Sequence, residues 1–177
     1  MKETKLLLVE DTYGVKFHKV ILRKLQEVIN VDVRGLVVRR VPAKECNEAI
    51  SRKVKAILTD EARESKVVVV VDSEDRNPNY AAEKVATHFR GDKVLGGRVR
   101  VVTVIPRHES WLCIGLGIRA SACRSYPEDA IVRARKLKSY QKEYLAKFAE
   151  DMDVRKLMSE GDFMEYVKAI KWLFEDP

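Results

Sequence analysis

Two short apolar runs in this sequence each end on carboxylates. Residues 6–9 (LLLV) run into Glu10-Asp11, and residues 67–71 (VVVVV) run into Asp72-Ser73-Glu74-Asp75. Acids gathered in one place repel one another, and burial raises the cost further. A divalent cation relieves that cost, and hard carboxylate oxygens suit Mg²⁺, Mn²⁺ or Ca²⁺. An ion so bound can polarise a phosphoryl oxygen and steady charge on the attacking and leaving oxygens of a phosphodiester. A plainer reading stands beside this one, in which Asp75 or Asn77 caps a helix and Glu10 is a surface charge.

The acids meet only if the elements carrying them are suitably arranged. Lys5–Val9 reads as a strand, and Val15, His18, Ile21, Leu22, Leu25 and Val28 recur at helical spacing up to Ile29. The β-branched stretch Val31–Val41 reads as a second strand closed by Pro42. Cys46, Ala49, Ile50, Val54, Ile57 and Leu58 mark an amphipathic helix over 43–63. Lys66–Val71 has the unbroken valines of a strand covered on both faces. Asn77 with Pro78 opens a third helix running to about Phe89. Val99–Ile105 is a fourth strand, stopped by Pro106. The order β-α-β-α-β-α-β predicts a four-stranded parallel α/β sheet of Rossmann-like type, flanked by helices. His108–Gly117 reads as a short apolar segment between turns, and everything from Pro127 onward reads as helical. The expected organisation is a core over 1–126 with a helical C-terminal extension over 127–177. Ligands of such sheets bind beyond the carboxyl ends of the strands, near the topological switch point. If strands one and three are neighbours, Glu10, Asp72, Glu74 and Asp75 share that edge.

His108-Glu109-Ser110-Trp111 follows the fourth strand at the same edge. Glu109 is a candidate third carboxylate and Arg107 a candidate phosphate contact, whereas Trp111 and His18 read as core and His88 as surface. The chain carries 34 Lys and Arg against 27 Asp and Glu, a net charge of +7. Basic residues gather at Arg34, Arg39 and Arg40, at Arg98 and Arg100, and along Arg133, Arg135, Lys136, Lys138 and Lys142. Such a run is either a solvated helix face or a surface that holds nucleic-acid backbone beside the acidic site. Cys46, Cys113 and Cys123 show no CxxC or zinc spacing, so reduced thiols in a cytoplasmic protein are expected. The apolar runs are too short to span a bilayer, and the N-terminal run reads as a strand, not a signal peptide. Dense Lys, Glu and Arg with only two glutamines, Gln26 and Gln141, point to a thermophile.

Glu10 after LLLV, Asp72-Ser73-Glu74 after VVVVV and the four-strand order resemble the Toprim domain. That domain occurs in topoisomerases, bacterial-type primases, small ribosomal-RNA maturation nucleases and nucleases of the overcoming-lysogenization-defect type. Residues 71–76 (VDSEDR), 105–115 (IPRHESWLCIG) and the helical tail are similar to stand-alone Toprim-like proteins. In those an E-x-W-like segment follows strand four, matched here by Glu109 and Trp111. The resemblance implies Glu10 as general acid/base, and Asp72 with Glu74 or Asp75 as ligands of Mg²⁺ (or Mn²⁺), assisted by Glu109. It further implies cleavage or transfer of phosphodiesters in DNA or RNA. Asp11 stands where the family has glycine, and Glu74 where it has aspartate. Two further readings stay open: a non-catalytic Toprim-like module that binds nucleic acid or protein, and a receiver-like domain phosphorylated on Asp72.

Overall fold

Alternation along the central valine run builds both cores at once. A computed structural model describes residues 4–41, 49–60, 65–93 and 95–176, with the backbone alone for 57–60. Strands β1 (Lys5–Val9), β2 (Leu36–Arg40), β3 (Lys66–Asp72) and β4 (Val99–Val104) are all parallel and lie in the order β2-β1-β3-β4. Successive side chains of β3 point to opposite faces. Val68 and Val70 join Leu7, Val9, Val102 and Val104 on one side, while Val67, Val69 and Val71 join Leu6 and Leu8 on the other. Burying those five valines is worth roughly 10 kcal/mol gross, set against the entropy of ordering the chain.

Helices cover both faces, as the α/β reading requires. On the first lies α1 (Thr12–Ile29), and on the second α2 (Ala49–Asp60) and α3 (Pro78–Thr87). Asn77 caps α3, its side-chain oxygen accepting from the amides of Asn79 and Tyr80, with Pro78 opening the helix as expected. The parts of the second predicted helix at 43–48 and 61–63, with Pro42 and Cys46, lie outside the described residues.

Three local expectations are corrected. The strand expected over 31–41 is confined to Leu36–Arg40. Asn30 ends α1 in the left-handed region, and Gly35, at φ 97°, turns the chain into β2. A β-branched composition marked the segment as extended but not where it turns. Residues 108–115 form a wholly buried helix, α4 (His108–Gly115), where a turn-bounded segment was expected. A helix covered on all sides has no polar face and therefore no 3.6-residue period to read. The third concerns the cysteines: Cys113 and Cys123 form a disulfide, their Cα atoms 5.5 Å apart. Packing of α4 against α5 (Ala120–Ser125) brings them together, and their ten-residue separation carries no motif.

The chain continues through α6 (Pro127–Arg135), α7 (Tyr144–Lys147), two short 3₁₀ turns and α8 (Gly161–Phe174). Leu145, Leu157, Phe163, Ile170 and Leu173 from this tail complete the cluster that contains Leu7, Val68 and Val102. Among the described residues no helix is long and apolar enough to cross a membrane.

Candidate functional site

The strand order places β1 and β3 side by side, with β2 and β4 outside them, so the topological switch point falls between β1 and β3. Leu8 pairs with Val69, and the same register carried onward sets Asp11 level with Asp72. Glu10, Asp11, Asp72 and Glu109 line one cavity of about 10 Å³ with Gly14, His108 and Lys142. That volume is room for a single water-sized occupant.

Glu10 follows β1 directly. Among the described residues no hydrogen bond or ion pair reaches its carboxyl group. Burial, then the nearby charge of Asp72, raises its pKa to about 7. Asp11 is the N-cap of α1: its Oδ1 accepts from the Gly14 amide at 2.6 Å and its Oδ2 from Lys142 Nζ at 3.2 Å. Burial pushes Asp11 up, but those two donors outweigh it and leave its pKa below the ordinary value. Glycine is the natural residue at 14, because a Cβ there would stand 3.3 Å from the Asp11 oxygen. Glu109, in the first turn of α4, is buried; Tyr140 donates its hydroxyl to Oε1 at 3.2 Å. Burial raises the Glu109 carboxyl above the ordinary range. Burial, then the adjacent Glu109, raises the Tyr140 hydroxyl in turn.

Asp72 leads into the core through a chain of rings. Its Oδ1 accepts from the His108 amide at 3.1 Å and from His108 Nδ1 at 2.6 Å. His108 Nε2 lies 2.7 Å from His18 Nε2, and His18 Nδ1 lies 2.9 Å from the Tyr166 hydroxyl. With His108 neutral, only one direction satisfies every contact: Tyr166 donates to His18, His18 to His108, and His108 to Asp72. With His108 as imidazolium, the two inner bonds reverse. Burial lowers the His108 pKa, but Asp72 and then Glu109 raise it by more, so it sits above the ordinary imidazole value. Burial, then His108, holds His18 well below that value. The second nitrogen of His108 is turned to the core, so this ring serves Asp72 and cannot reach a substrate through Nε2.

Other expected site residues are not in this cavity. Glu74, in the left-handed region at φ 54°, accepts from Arg107 Nη1 at 3.0 Å, while Asp75 is exposed. The reason is the ladder: Ser73 N donates to Val104 O and Glu74 N to Pro106 O, which carries the chain past the cavity toward β4. Arg107 also lies 3.0 Å from Glu128. Of the basic run, Lys142 alone lines the cavity; Arg135 turns to Asp151 at 3.0 Å, and Arg133, Lys136 and Lys138 are exposed.

Several participants had no sequence signal. His18 was legible as core, but its two hydrogen bonds were not, and neither Tyr140 nor Tyr166 was marked. Asp162 is a third case. Buried at the start of α8, it accepts from the Ile105 amide, Trp111 Nε1 at 2.9 Å and both terminal nitrogens of Arg124 at 2.8 and 2.7 Å. Trp111 is core, as expected. Among the described residues no three His, Cys, Asp or Glu side chains are already spaced to hold a metal ion. The cavity is nonetheless lined by Glu10, Asp72 and Glu109, and carboxylates are the donor type that a small hard cation takes. No protein-family model matches the chain, and neither a curated protein nor a solved structure was found similar to it.

Proposed function

We propose that this chain is a Toprim-like, divalent-cation-dependent protein that cleaves or transfers phosphodiesters in nucleic acid. One observation carries the reading: Glu10, held near pKa 7, shares a cavity with Asp72 and Glu109 at the β1–β3 switch point. Asp72 and Glu109 would hold the Mg²⁺ or Mn²⁺, which when bound supplies Lewis-acid polarisation of a phosphoryl oxygen, and Glu10 beside them would stay free for proton transfer. Glu10 is close to half protonated at neutral pH. It can accept a proton from an attacking hydroxyl or return one to a leaving oxygen. His108 orients Asp72 through Nδ1–H, and Lys142 and Arg107 offer cations to the flanking backbone at the rim. Glu74 and Asp75 have no direct part in this reading. A cytoplasmic setting with a nucleic-acid partner belongs to it. The Cys113–Cys123 disulfide is compatible with that setting in a thermophile, where intracellular disulfides occur.

A second reading, a non-catalytic Toprim-like binding module, draws on a specific feature. Asp72 is already engaged by His108 and Asp11 by Lys142, so internal cations offset part of the acidic charge. Cleavage assays with Mn²⁺ on plasmid DNA, single strands and structured RNA separate the two. The catalytic reading expects activity that falls about a hundredfold or more in Glu10→Gln and is lost in Asp72→Ala. Equal rates in wild type and Asp72→Ala would refute it, and inactivity on every substrate would leave the binding module. The receiver-like reading predicts phosphorylation of Asp72 by a small phosphodonor, visible as a mass shift. Nothing in the geometry favours it, since among the described residues the sheet ends at four strands.

A further inference from the structure

Of the four large hydrophobic side chains that the described residues leave exposed, three follow the carboxyl ends of strands β1, β3 and β4, the end of the sheet that carries the acidic cavity, and the fourth is tied to that end. Tyr13 (37% exposed) is the second residue of α1, two positions after Asp11. Tyr80 (50%) is in the first turn of α3, the helix that follows Asp72. Ile105 (36%) immediately follows β4. Tyr126 (72%) precedes α6. It is held at this end because its neighbour Arg124 bonds the Ile105 carbonyl and Glu128 meets Arg107. Single exposed apolar residues are ordinary, but their confinement to one rim is not. Three of the four are tyrosines, flat and amphipathic. Cations stand among them: Arg40 donates to the Glu10 carbonyl at 3.3 Å, Arg107 meets Glu74, and Lys142 meets Asp11. The Lys84 ammonium lies 4.9 Å from the centre of the Tyr80 ring. Tyr126 also shares a groove of about 460 Å³ with Arg133, walled by Ile118, Ala122 and Ala130.

We infer that this rim binds single-stranded nucleic acid, the tyrosines stacking on unpaired bases while Arg40, Arg107 and Lys142 hold the phosphates. The inference rests on the phosphodiester reading above and narrows its substrate class. In a duplex the base faces are stacked on one another, and only the backbone and the groove edges of the bases are offered to a protein surface, so exposed rings find no face to stack on. Unpaired bases present a π-face that any aromatic side chain can cover, whatever the sequence. A protein partner docking on the same rim is the competing occupant. Arg107 is shared by Glu74 and Glu128 and Lys142 lies on Asp11, so a phosphate would compete with those carboxylates, and it is the chain's net charge of +7 that favours a polyanion.

The test is fluorescence anisotropy with labelled oligothymidylate, oligouridylate and a duplex of equal length, in EDTA so that nothing is cleaved. Full-length wild type is expected to bind both single strands about tenfold more tightly than the duplex. Tyr126→Ala is expected to weaken single-strand binding about tenfold with little effect on duplex, Tyr126→Trp to restore it, and Tyr80→Ala to weaken it less. Equal affinity for duplex and single strand would overturn the inference. So would unchanged single-strand affinity in both alanine variants, or a self-associating species that Tyr126→Ala disperses without any oligonucleotide binding. Stacking-dependent binding with no cleavage under Mn²⁺ would uphold the rim and refute the catalytic reading. Cleavage with no dependence on the tyrosines would do the reverse.

Discussion

Glu10→Gln changes one ionisable group and almost no volume, so it isolates the electrostatic cost of the site. The carboxyl sits at about 7 in the fold against an ordinary 4.5, because burial and then Asp72 disfavour its charge. At full burial that difference corresponds to about 3 kcal/mol. Glu10 keeps some contact with solvent, and screening reduces the figure to about 1–2 kcal/mol. The sign follows from proton binding. Below 4.5 the group is protonated in both folded and unfolded chains and costs nothing. As pH rises from 4.5, the unfolded chain releases its proton first, and the fold loses stability until about pH 7, above which the penalty is constant. Glutamine never ionises. The variant should therefore match wild type at about pH 4 and exceed it by about 1–2 kcal/mol at about pH 8, in urea denaturation without divalent ions. Adding Mn²⁺ at the higher pH should then stabilise wild type more than Glu10→Gln, since the variant lacks one of the carboxylates whose repulsion a cation in the cavity would relieve. A variant less stable than wild type at the higher pH, or a gain equal at both, would refute the placement of Glu10 in a shared acidic cavity.

Other perturbations test the surroundings. Tyr166→Phe removes the donor at the inner end of the histidine chain, and leaving buried His18 with an unmet nitrogen should cost about 1–3 kcal/mol in urea denaturation. A cost within a few tenths would mean the chain is not formed. Asp162→Ala strips the partner from Arg124 and from Trp111 Nε1, and should cost about 3–5 kcal/mol, read as a lowered denaturation midpoint. Asp162→Asn, which keeps one acceptor oxygen and the shape but not the charge, should cost less. Reducing the Cys113–Cys123 bond, or replacing both cysteines by serine, should lower stability by about 2–3 kcal/mol for a loop of this length. An unchanged melting temperature in reductant would refute it.

Sequence by itself determined the sheet. Runs of valine and leucine bounded by acids read as buried strands, their alternation with amphipathic segments reads as a parallel α/β layer structure, and Glu10 and Asp72 then stand at strand ends. Those are properties of neighbouring residues, set by periodicity and by the need to hide apolar surface. Tertiary structure decided which carboxylates meet. Glu10, Asp72 and Glu109 share a cavity because β1 adjoins β3 and a buried helix returns over them. Glu74 and Asp75, closer to Asp72 in sequence than Glu109 is, are carried away by the ladder to β4. The histidine chain to Tyr166, the Asp162 hub, the disulfide and the rim of tyrosines were equally illegible. Each joins residues far apart in the chain, or gathers them on one surface, and leaves no local period behind. Hydrogen bonds and ion pairs are selected by distance in space, which a linear pattern does not encode until the core has fixed it.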